Sequence, residues 1–333
     1  MTTNGRIAIA GAGSIGCFVG GMLAAAGRDV ALLARPRIIA EIHAHGLRLS
    51  GVGDIDRQVA AHQLTLSDDA AILGDAAIVL VAVKSADTAG MAELIARHAA
   101  ADAVVVSLQN GVGNVAALRE RLPGRHVLGG MVPFNVIAPG DGHYHRATSG
   151  DIVLERDAAG TAARLSVAGL VLRPADDIVA VQWGKLLVNL NNALNALSGM
   201  PLREQLARRP WRRLFADQMA EGLAVLKAAG IEPVSATPIP ASLTPHLLRL
   251  PDFLFSRLLG RSMKIDPTAR SSMWDDLQRG RRTEIDYLQG VIVQMAAQHG
   301  IAAPLSQRVA ALVRRAEAAG QGAPGLTPEQ VRG

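Results

Sequence analysis

Lysine is scarce in this chain of 333 residues: only Lys84, Lys185, Lys227 and Lys264 stand among 34 basic side chains. Lys185 lies in the run Trp183-Gly184-Lys185-Leu186-Leu187-Val188-Asn189-Leu190-Asn191-Asn192-Ala193-Leu194-Asn195. On one continuous helix, positions 185, 189 and 192 share a face. That face is a stripe of one ammonium and two amides in an otherwise apolar segment. Buried polar groups need partners. A bound polar substrate would supply them, as would an amide network between helices or a lysine reaching out to water. Lys185 is the leading candidate for a functional residue of this segment.

Two later stretches carry further polar chemistry, Ser271-Ser272-Met273-Trp274-Asp275-Asp276 and Arg282-Thr283-Glu284-Ile285-Asp286-Tyr287. A glutamate near Lys185 would keep the ammonium charged. A serine hydroxyl is a natural donor to a carboxylate. By spacing alone, both stretches also read as ordinary helix surface.

At the other end of the chain, Gly11-Ala12-Gly13-Ser14-Ile15-Gly16 matches G-x-G-x-x-G between the apolar run Arg6 to Ala10 and a helical stretch, Gly13 to Ala26. That context is what a dinucleotide loop requires. The first Gly permits the tight turn, the second lets backbone approach a pyrophosphate, and the third permits close helix–strand packing. The helix N-terminus offers free N–H groups to the phosphates. Beyond the next strand, Val30 to Leu33, the chain reads Ala34-Arg35-Pro36-Arg37, with no acidic residue between Val30 and Ala40. An acidic residue there would bond the ribose 2′-OH of NAD; Arg35 suits the 2′-phosphate of NADP. Lys84 follows the strand Ile78–Val83, and Gln109-Asn110-Gly111 follows Ala103–Leu108. Both fall at the carboxyl edge of a parallel sheet, where ligands of open α/β folds bind.

The elements that must position these groups divide in two. Short continuous apolar strands alternating with helices fill the first half, with a fifth strand at 127–132, which indicates a parallel sheet covered on both faces. From 178 onward strands become scarce. One helix is expected over Ile178–Leu197, then helical stretches near 203–230, 240–260, 271–300 and 305–319, punctuated by Pro201, Pro233, Pro238, Pro240 and Pro267. The expected organisation is α/β: a Rossmann-type dinucleotide-binding domain over 1–177 and an all-α domain over 178–333.

Composition excludes other classes. Apolar residues make up 49% and charged residues 19%, enough for a core and unlike a disordered chain. The net charge of +5 comes from scattered arginines, with knots at Arg208, Arg209, Arg212, Arg213 and at Arg279, Arg281, Arg282, read here as solvated surface. Aromatics are 3%, so neither a basic stripe nor stacking rings suggest nucleic-acid binding. Cys17 is the one cysteine, which excludes an internal disulfide and fits a reducing cytoplasm; its place in the first helix reads as core packing. The first residues lack a signal-peptide pattern and no apolar run is long enough to span a bilayer, so a cytoplasmic protein away from membranes is expected. His143-x-His145 lies in a Gly-rich stretch and reads as a loop, not a metal site. A homo-oligomer is compatible with all of this.

At these residues the chain resembles the ketopantoate reductase family nearly end to end. The resemblance is carried by Gly11 to Gly16, Val83-Lys84-Ser85, Gln109-Asn110-Gly111, Lys185-Leu186-Leu187-Val188-Asn189, and Ser271-Ser272-Met273 followed by Thr283-Glu284-Ile285-Asp286. It implies an NADP-binding Rossmann domain, a helical domain and a cleft between them. It implies NADPH-dependent reduction of 2-dehydropantoate to pantoate, with hydride delivered to C2 and Lys185 as general acid. Glu284 would orient Lys185 and touch the cofactor side, Ser272 would bond the substrate carboxylate, and Asn110, Asn189 and one further Asn would hold substrate oxygens. That further Asn is Asn192 by helix face or Asn195 by the motif that follows, and the face favours Asn192. Met131-Val132-Pro133-Phe134-Asn135 stands where the family often carries Thr-Thr-His, a departure expected on the substrate side. Two alternatives stay open: a reductase of the same fold acting on another small or branched 2-oxo acid, and a non-catalytic NADP-binding sensor, which would not need Lys185 and Glu284.

Overall fold

The computed structural model describes residues 5–235, 239–259 and 269–333; Lys264, Pro238, Pro267 and residue 260 lie outside them. Contacts divide the chain into two compact units, Met1–Ile178 and Val179–Gly333.

The first unit holds β1 (Arg6–Ala10), β2 (Val30–Leu33), β3 (Leu47–Gly51), β4 (Ile55–Val59), β5 (Thr65–Ser67), β6 (Ala76–Val81), β7 (Val104–Ser107), β8 (Val127–Met131), β9 (Val136–Gly140), β10 (His143–Arg146), β11 (Ile152–Glu155) and β12 (Leu172–Ala175). Its helices are α1 (Ser14–Ala25), α2 (Pro36–His45), α3 (Thr88–His98), α4 (Asn114–Arg121) and α5 (Thr161–Leu165). One sheet runs β12-β11-β8-β7-β6-β1-β2-β5. From β5 to β8 all pairings are parallel, whereas β11 runs antiparallel to β8. The apolar runs explain this: all of β2 and most of β1 and β6 are buried, which suits strands covered on both faces. Since β1 lies between β2 and β6, the chain leaves it in opposite directions. That order is the doubly wound one, with its ligand crevice at the carboxyl ends of β1 and β6.

A second sheet, β4-β3-β10-β9, packs against α1. It corrects the loop expected at His143-x-His145, which is strand β10, paired with β3 and β9. The Ser50 hydroxyl lies 2.8 Å from a ring nitrogen of each histidine. These strands are short, and β3 and β9 end in glycines, so their local signal is weak and pairing with distant segments decides them. Of the run expected on the substrate side, Pro133 is half-buried and Asn135 exposed, leaving Met131, Val132 and Phe134. All three are buried, and the Phe134 ring meets Phe18 edge-on at 5.7 Å with the Arg146 guanidinium 4.7 Å from its centroid.

From α6 (Ile178–Asn189) onward the described residues contain helices and no strand: α7 (Asn191–Ser198), α8 (Leu202–Ala207), α9 (Arg209–Ala228), α10 (Thr244–Leu248), α11 (Asp252–Leu259), α12 (Ser272–Gln278), α13 (Ile285–Gln298), α14 (Pro304–Ala319) and α15 (Pro328–Arg332). The single helix expected over Ile178–Leu197 is two. Leu190 separates them while its backbone stays right-handed, and its carbonyl accepts the Gln289 Nε2–H at 2.8 Å. A side chain inserted into the carbonyl ladder interrupts a helix that propensity alone would continue. The stretches at 240–260 and 271–300 are likewise divided, at 249–251 and 279–284.

Arg212 departs furthest from the solvated surface expected of the arginine knots. It is fully buried, donates to the carbonyls of Leu206, Ala207, Leu248 and Leu250 and to Asp252, and stacks 4.1 Å from the Phe255 centroid. A guanidinium can be buried when its forked donors are spent in this way. No helix among the described residues is long and apolar enough to cross a membrane. No group of three or more metal-ligating side chains occurs among the described residues.

Candidate functional site

The glycine loop leaves the carboxyl end of β1. Gly11 has φ +106°, a backbone region that only glycine enters at little cost, and a Cβ there would lie 2.5 Å from Val83 Cγ1. A Cβ on Gly16 would lie 2.3 Å from the Gly11 carbonyl oxygen and 2.9 Å from Ile9 Cγ2. These two glycines serve the protein's own packing. Gly13 is different: nothing lies within 4 Å of where its Cβ would be. It caps α1, whose first turn has no acidic residue and no side-chain cap. The loop is held by the Ala12 N–H on the Leu33 carbonyl (3.1 Å) and the Gly13 N–H on the Gly11 carbonyl (2.9 Å). Ser14 and Ile15 open the helix. A positive helix end beside open space is an anion-binding arrangement. Cys17, one turn in, is fully buried, and burial pushes its thiol up to about 12, which leaves it an inert core residue.

Arg35 is exposed two residues beyond β2 and caps α2, with Pro36 at the first helical position. Its guanidinium is therefore offered at the strand end where the two nicotinamide cofactors differ.

Lys84 and Asn110 each stand three residues beyond a strand, after β6 and β7 respectively, and both are exposed. The strand ends fall slightly earlier than the sequence suggests, at Val81 and Ser107. The Ala82 N–H bonds the Ala10 carbonyl at 2.9 Å, which brings the Lys84 segment beside the glycine loop. Five buried polar side chains lie between the Lys84 and Asn110 segments: Ser85, Thr88, Ser107, Gln109 and Asn114. Gln109 Nε2 donates to Thr88 Oγ1 (2.7 Å) and to the Val83 carbonyl (3.2 Å), while its Oε1 accepts from Ser107 Oγ (3.1 Å). Thr88 Oγ1 donates to Asn114 Oδ1 (2.9 Å). Asn114 Nδ2 donates to the Asn110 carbonyl (2.8 Å) and to Ser85 Oγ (3.1 Å), and Ser85 Oγ donates to the same carbonyl (3.2 Å). Sequence reasoning singled out neither Thr88 nor Asn114. The available signal was an asparagine opening a helix four residues after Asn110, behind Gly113 at φ +90°.

In the second unit Lys185 is half-buried in α6, and burial pulls its pKa down from 10.5 to about 8. Gly184 beside it was also missed. A Cβ there would lie 1.7 Å from the Val234 carbonyl oxygen, so only glycine lets residues 231–235 lie along the helix, where the Val234 N–H bonds the Ala180 carbonyl at 3.0 Å. Asn189 is buried one turn further on, and Asn192 is half-buried beyond the break.

Asn195 is fully buried and its polar atoms are spent: Oδ1 accepts the Ser271 N–H (2.8 Å), and Nδ2 donates to the Met200 carbonyl (3.0 Å) and to Gln205 Oε1 (3.1 Å). Asn195 is thus framework, and Asn192 is the one of the pair with surface to offer. The serines divide similarly. Ser271 is buried; its hydroxyl donates to the Asn192 carbonyl (3.0 Å) and caps α12 by accepting the Trp274 N–H (3.2 Å). Ser272 is exposed at the first position of α12. Glu284 is half-buried and caps α13.

The chain as a whole is similar to known proteins. Residues 7–158 match the family model described as ketopantoate reductase PanE/ApbA, and residues 177–317 match its C-terminal counterpart. The 2-dehydropantoate 2-reductase of Halobacterium salinarum is 31% identical over 321 residues, spanning 94% of this chain and 99% of the relative. The crystal structure of a PanE/ApbA family ketopantoate reductase from Ralstonia eutropha superposes with a TM-score of 0.81 at 34% identity, over 95% of this chain and 99% of that one. D-mandelate dehydrogenase, solved with NADH and anilino(oxo)acetate, shares the fold at TM-score 0.78 and 23% identity, over 95% and 99% of the two chains. The chain belongs to the ketopantoate reductase family of oxidoreductases.

Proposed function

We propose that this protein reduces 2-dehydropantoate to pantoate with NADPH, a step toward pantothenate and coenzyme A. Residues 1–177 serve as the NADP-binding domain and 178–333 as the substrate domain. The observation that carries the reading is Lys185, an ammonium half-buried in an apolar helix with its pKa drawn down to about 8, in a chain of this family.

The residues of the first unit fit a dinucleotide. Gly13 leaves open space at an uncapped helix end, and Arg35 is exposed beyond β2. Gly11, Ala12, Gly13, Ser14, Ile15 and Gly16 would cradle the pyrophosphate, Arg35 would bond the 2′-phosphate, and Lys84 and Asn110 would hold the nicotinamide end. When bound, NADPH supplies the hydride that reduces C2 of the oxo acid.

The remaining work belongs to the protein. Lys185 donates a proton to the oxygen on C2 and stabilises the negative charge that grows there. A pKa near 8 keeps it protonated at neutral pH yet able to give the proton up. Glu284 orients the ammonium and contacts the cofactor side, Ser272 bonds the substrate carboxylate, and Asn110, Asn189 and Asn192 bond its other oxygens. The test is NADPH oxidation at a fixed low concentration of 2-dehydropantoate, compared with other small and branched 2-oxo acids. The highest kcat/KM is expected for 2-dehydropantoate, and a much larger value for another acid would overturn the substrate. NADPH binding without turnover of any oxo acid would instead support a non-catalytic sensor.

A further inference from the structure

Lys84 and Asn110 are exposed side chains on two different loops, yet neither loop is free to place them independently. Gln109 and Asn114 are carboxamides, and each has two N–H donors. Gln109 spends its pair on Val83 and Thr88; Asn114 spends its pair on Asn110 and Ser85. The Thr88 hydroxyl closes the circuit, accepting from Gln109 and donating to Asn114. Lys84 and Ser85 belong to the loop between β6 and α3, which Thr88 opens, and Gln109 and Asn110 to the loop between β7 and α4, which Asn114 opens. Lys84 is therefore bracketed: the carbonyl of Val83 before it and the hydroxyl of Ser85 after it are both bonded to the other loop. Asn110 is held through its own carbonyl, which accepts two hydrogen bonds, and through the neighbouring Gln109.

We infer that Thr88, Asn114 and Gln109 are positioning residues that lock the two strand-end loops into one rigid edge and so set the places of Lys84 and Asn110 toward the nicotinamide cofactor. The inference rests on the reading of Lys84 and Asn110 as cofactor-facing residues. A buried network with every donor used has one low-energy arrangement, and opening any member leaves a partner unbonded in a low-dielectric interior. Exposed side chains on loops keep no fixed geometry of their own, so a ligand that needs both at once gains affinity from loops already joined.

Thr88→Val removes the hydroxyl and keeps the branched shape. Two measurements follow it: the Kd for NADPH by fluorescence titration, and hydrogen exchange over 83–88 and 108–114 in the free protein. Thr88→Val is expected to weaken NADPH roughly tenfold and to speed exchange in both loops, although the substitution lies in only one. Thr88→Ser, which keeps the hydroxyl, should restore the Kd to within about twofold of the parent. In the Asn110→Ala background, Thr88→Val should cost less than in the parent, because the residue it places is gone. Ser107→Ala loses one bond of the circuit and gives a smaller shift in the same direction, and it carries the test if Thr88→Val does not fold. Unchanged NADPH binding and loop exchange in the folded variant, or Thr88→Ser as impaired as Thr88→Val, would overturn the inference. Failure of the underlying reading shows separately: Lys84→Ala and Asn110→Ala would then leave the NADPH Kd unchanged, whereas failure of the positioning role leaves those two effects intact and Thr88→Val silent.

Discussion

Two lysines lie at the two candidate centres, and their surroundings are opposite. Lys84 stands exposed on a loop that the buried amides Gln109 and Asn114, from beyond β7, bond at Val83, Ser85 and Thr88. Lys185 is itself drawn into an apolar helix, between Gly184 and Leu186, and its proton affinity falls with burial. The contrast matches the two tasks proposed for these lysines. A cation that attracts a phosphate or holds a ribose needs charge and a fixed place, and it can remain in water. A group that gives up a proton near neutral pH must have its charged form destabilised, and burial does that. In the first case the protein buries the support; in the second it buries the reactive group.

Lys185→Ala tests this contrast most severely. Turnover is expected to fall by about 10²–10⁴-fold, with NADPH binding unchanged, as measured by steady-state kinetics and cofactor titration. Lys84→Ala should do the reverse, weakening cofactor binding more than it slows the bound enzyme. If Lys84→Ala caused the larger loss of kcat, the division of labour would be inverted.

The pH dependence sharpens the same point. The acid form of Lys185 is present below about 8, so kcat should hold at neutral pH and fall as pH rises through that value, by about tenfold per unit well above it. The stability effect has the opposite sense. The folded-state pKa lies below the ordinary 10.5, so between about 8 and 10.5 the unfolded chain binds more protons and the folded state gains stability as pH rises. Lys185→Met should therefore raise Tm at pH 7 while cutting turnover as Lys185→Ala does, and a lowered Tm would contradict the desolvation argument.

Asn195 and Asn192 extend the comparison to neighbours on α7. Asn195→Leu strands the Ser271 N–H in the core and should cost about 1–3 kcal/mol in denaturant unfolding. Asn192→Leu should leave that stability nearly unchanged and raise KM for the oxo acid. The smallest effect is expected at Arg35. Arg35→Ala should weaken NADPH roughly tenfold, about 1.4 kcal/mol, and NADH far less, because only NADPH carries the 2′-phosphate. Equal losses would remove Arg35 from the 2′-phosphate.

Much of the first unit could be read along the chain. Arg6 to Ala10, the G-x-G-x-x-G run and the helix after it are contiguous, and Gly11 at φ +106° answers a local backbone demand. Arg35 is legible for the same reason, since it stands at a fixed offset from a strand end. Other features were hidden because their causes lie far away in sequence. Gln289 divides α6 from α7 across 99 positions, and Ser271 engages Asn195 across 76. Arg212 looks like its exposed neighbours in the sequence and is buried because carbonyls near 250 come to meet it. The Gly184 requirement likewise depends on Val234.

By itself, then, the amino-acid order determined the alternation of strands and helices, the glycine-rich turn after β1 and the scarcity of lysine that draws attention to residue 185. These are properties of periodicity and short-range sterics, written within a few residues of where they act. The tertiary structure alone decided which asparagine of α7 is framework, which serine of the 271–272 pair is buried, and that Thr88 and Asn114 join two loops. Those choices depend on which buried donors find acceptors, and a hydrogen bond between distant segments exists only once the chain has folded to bring them within 3 Å of each other.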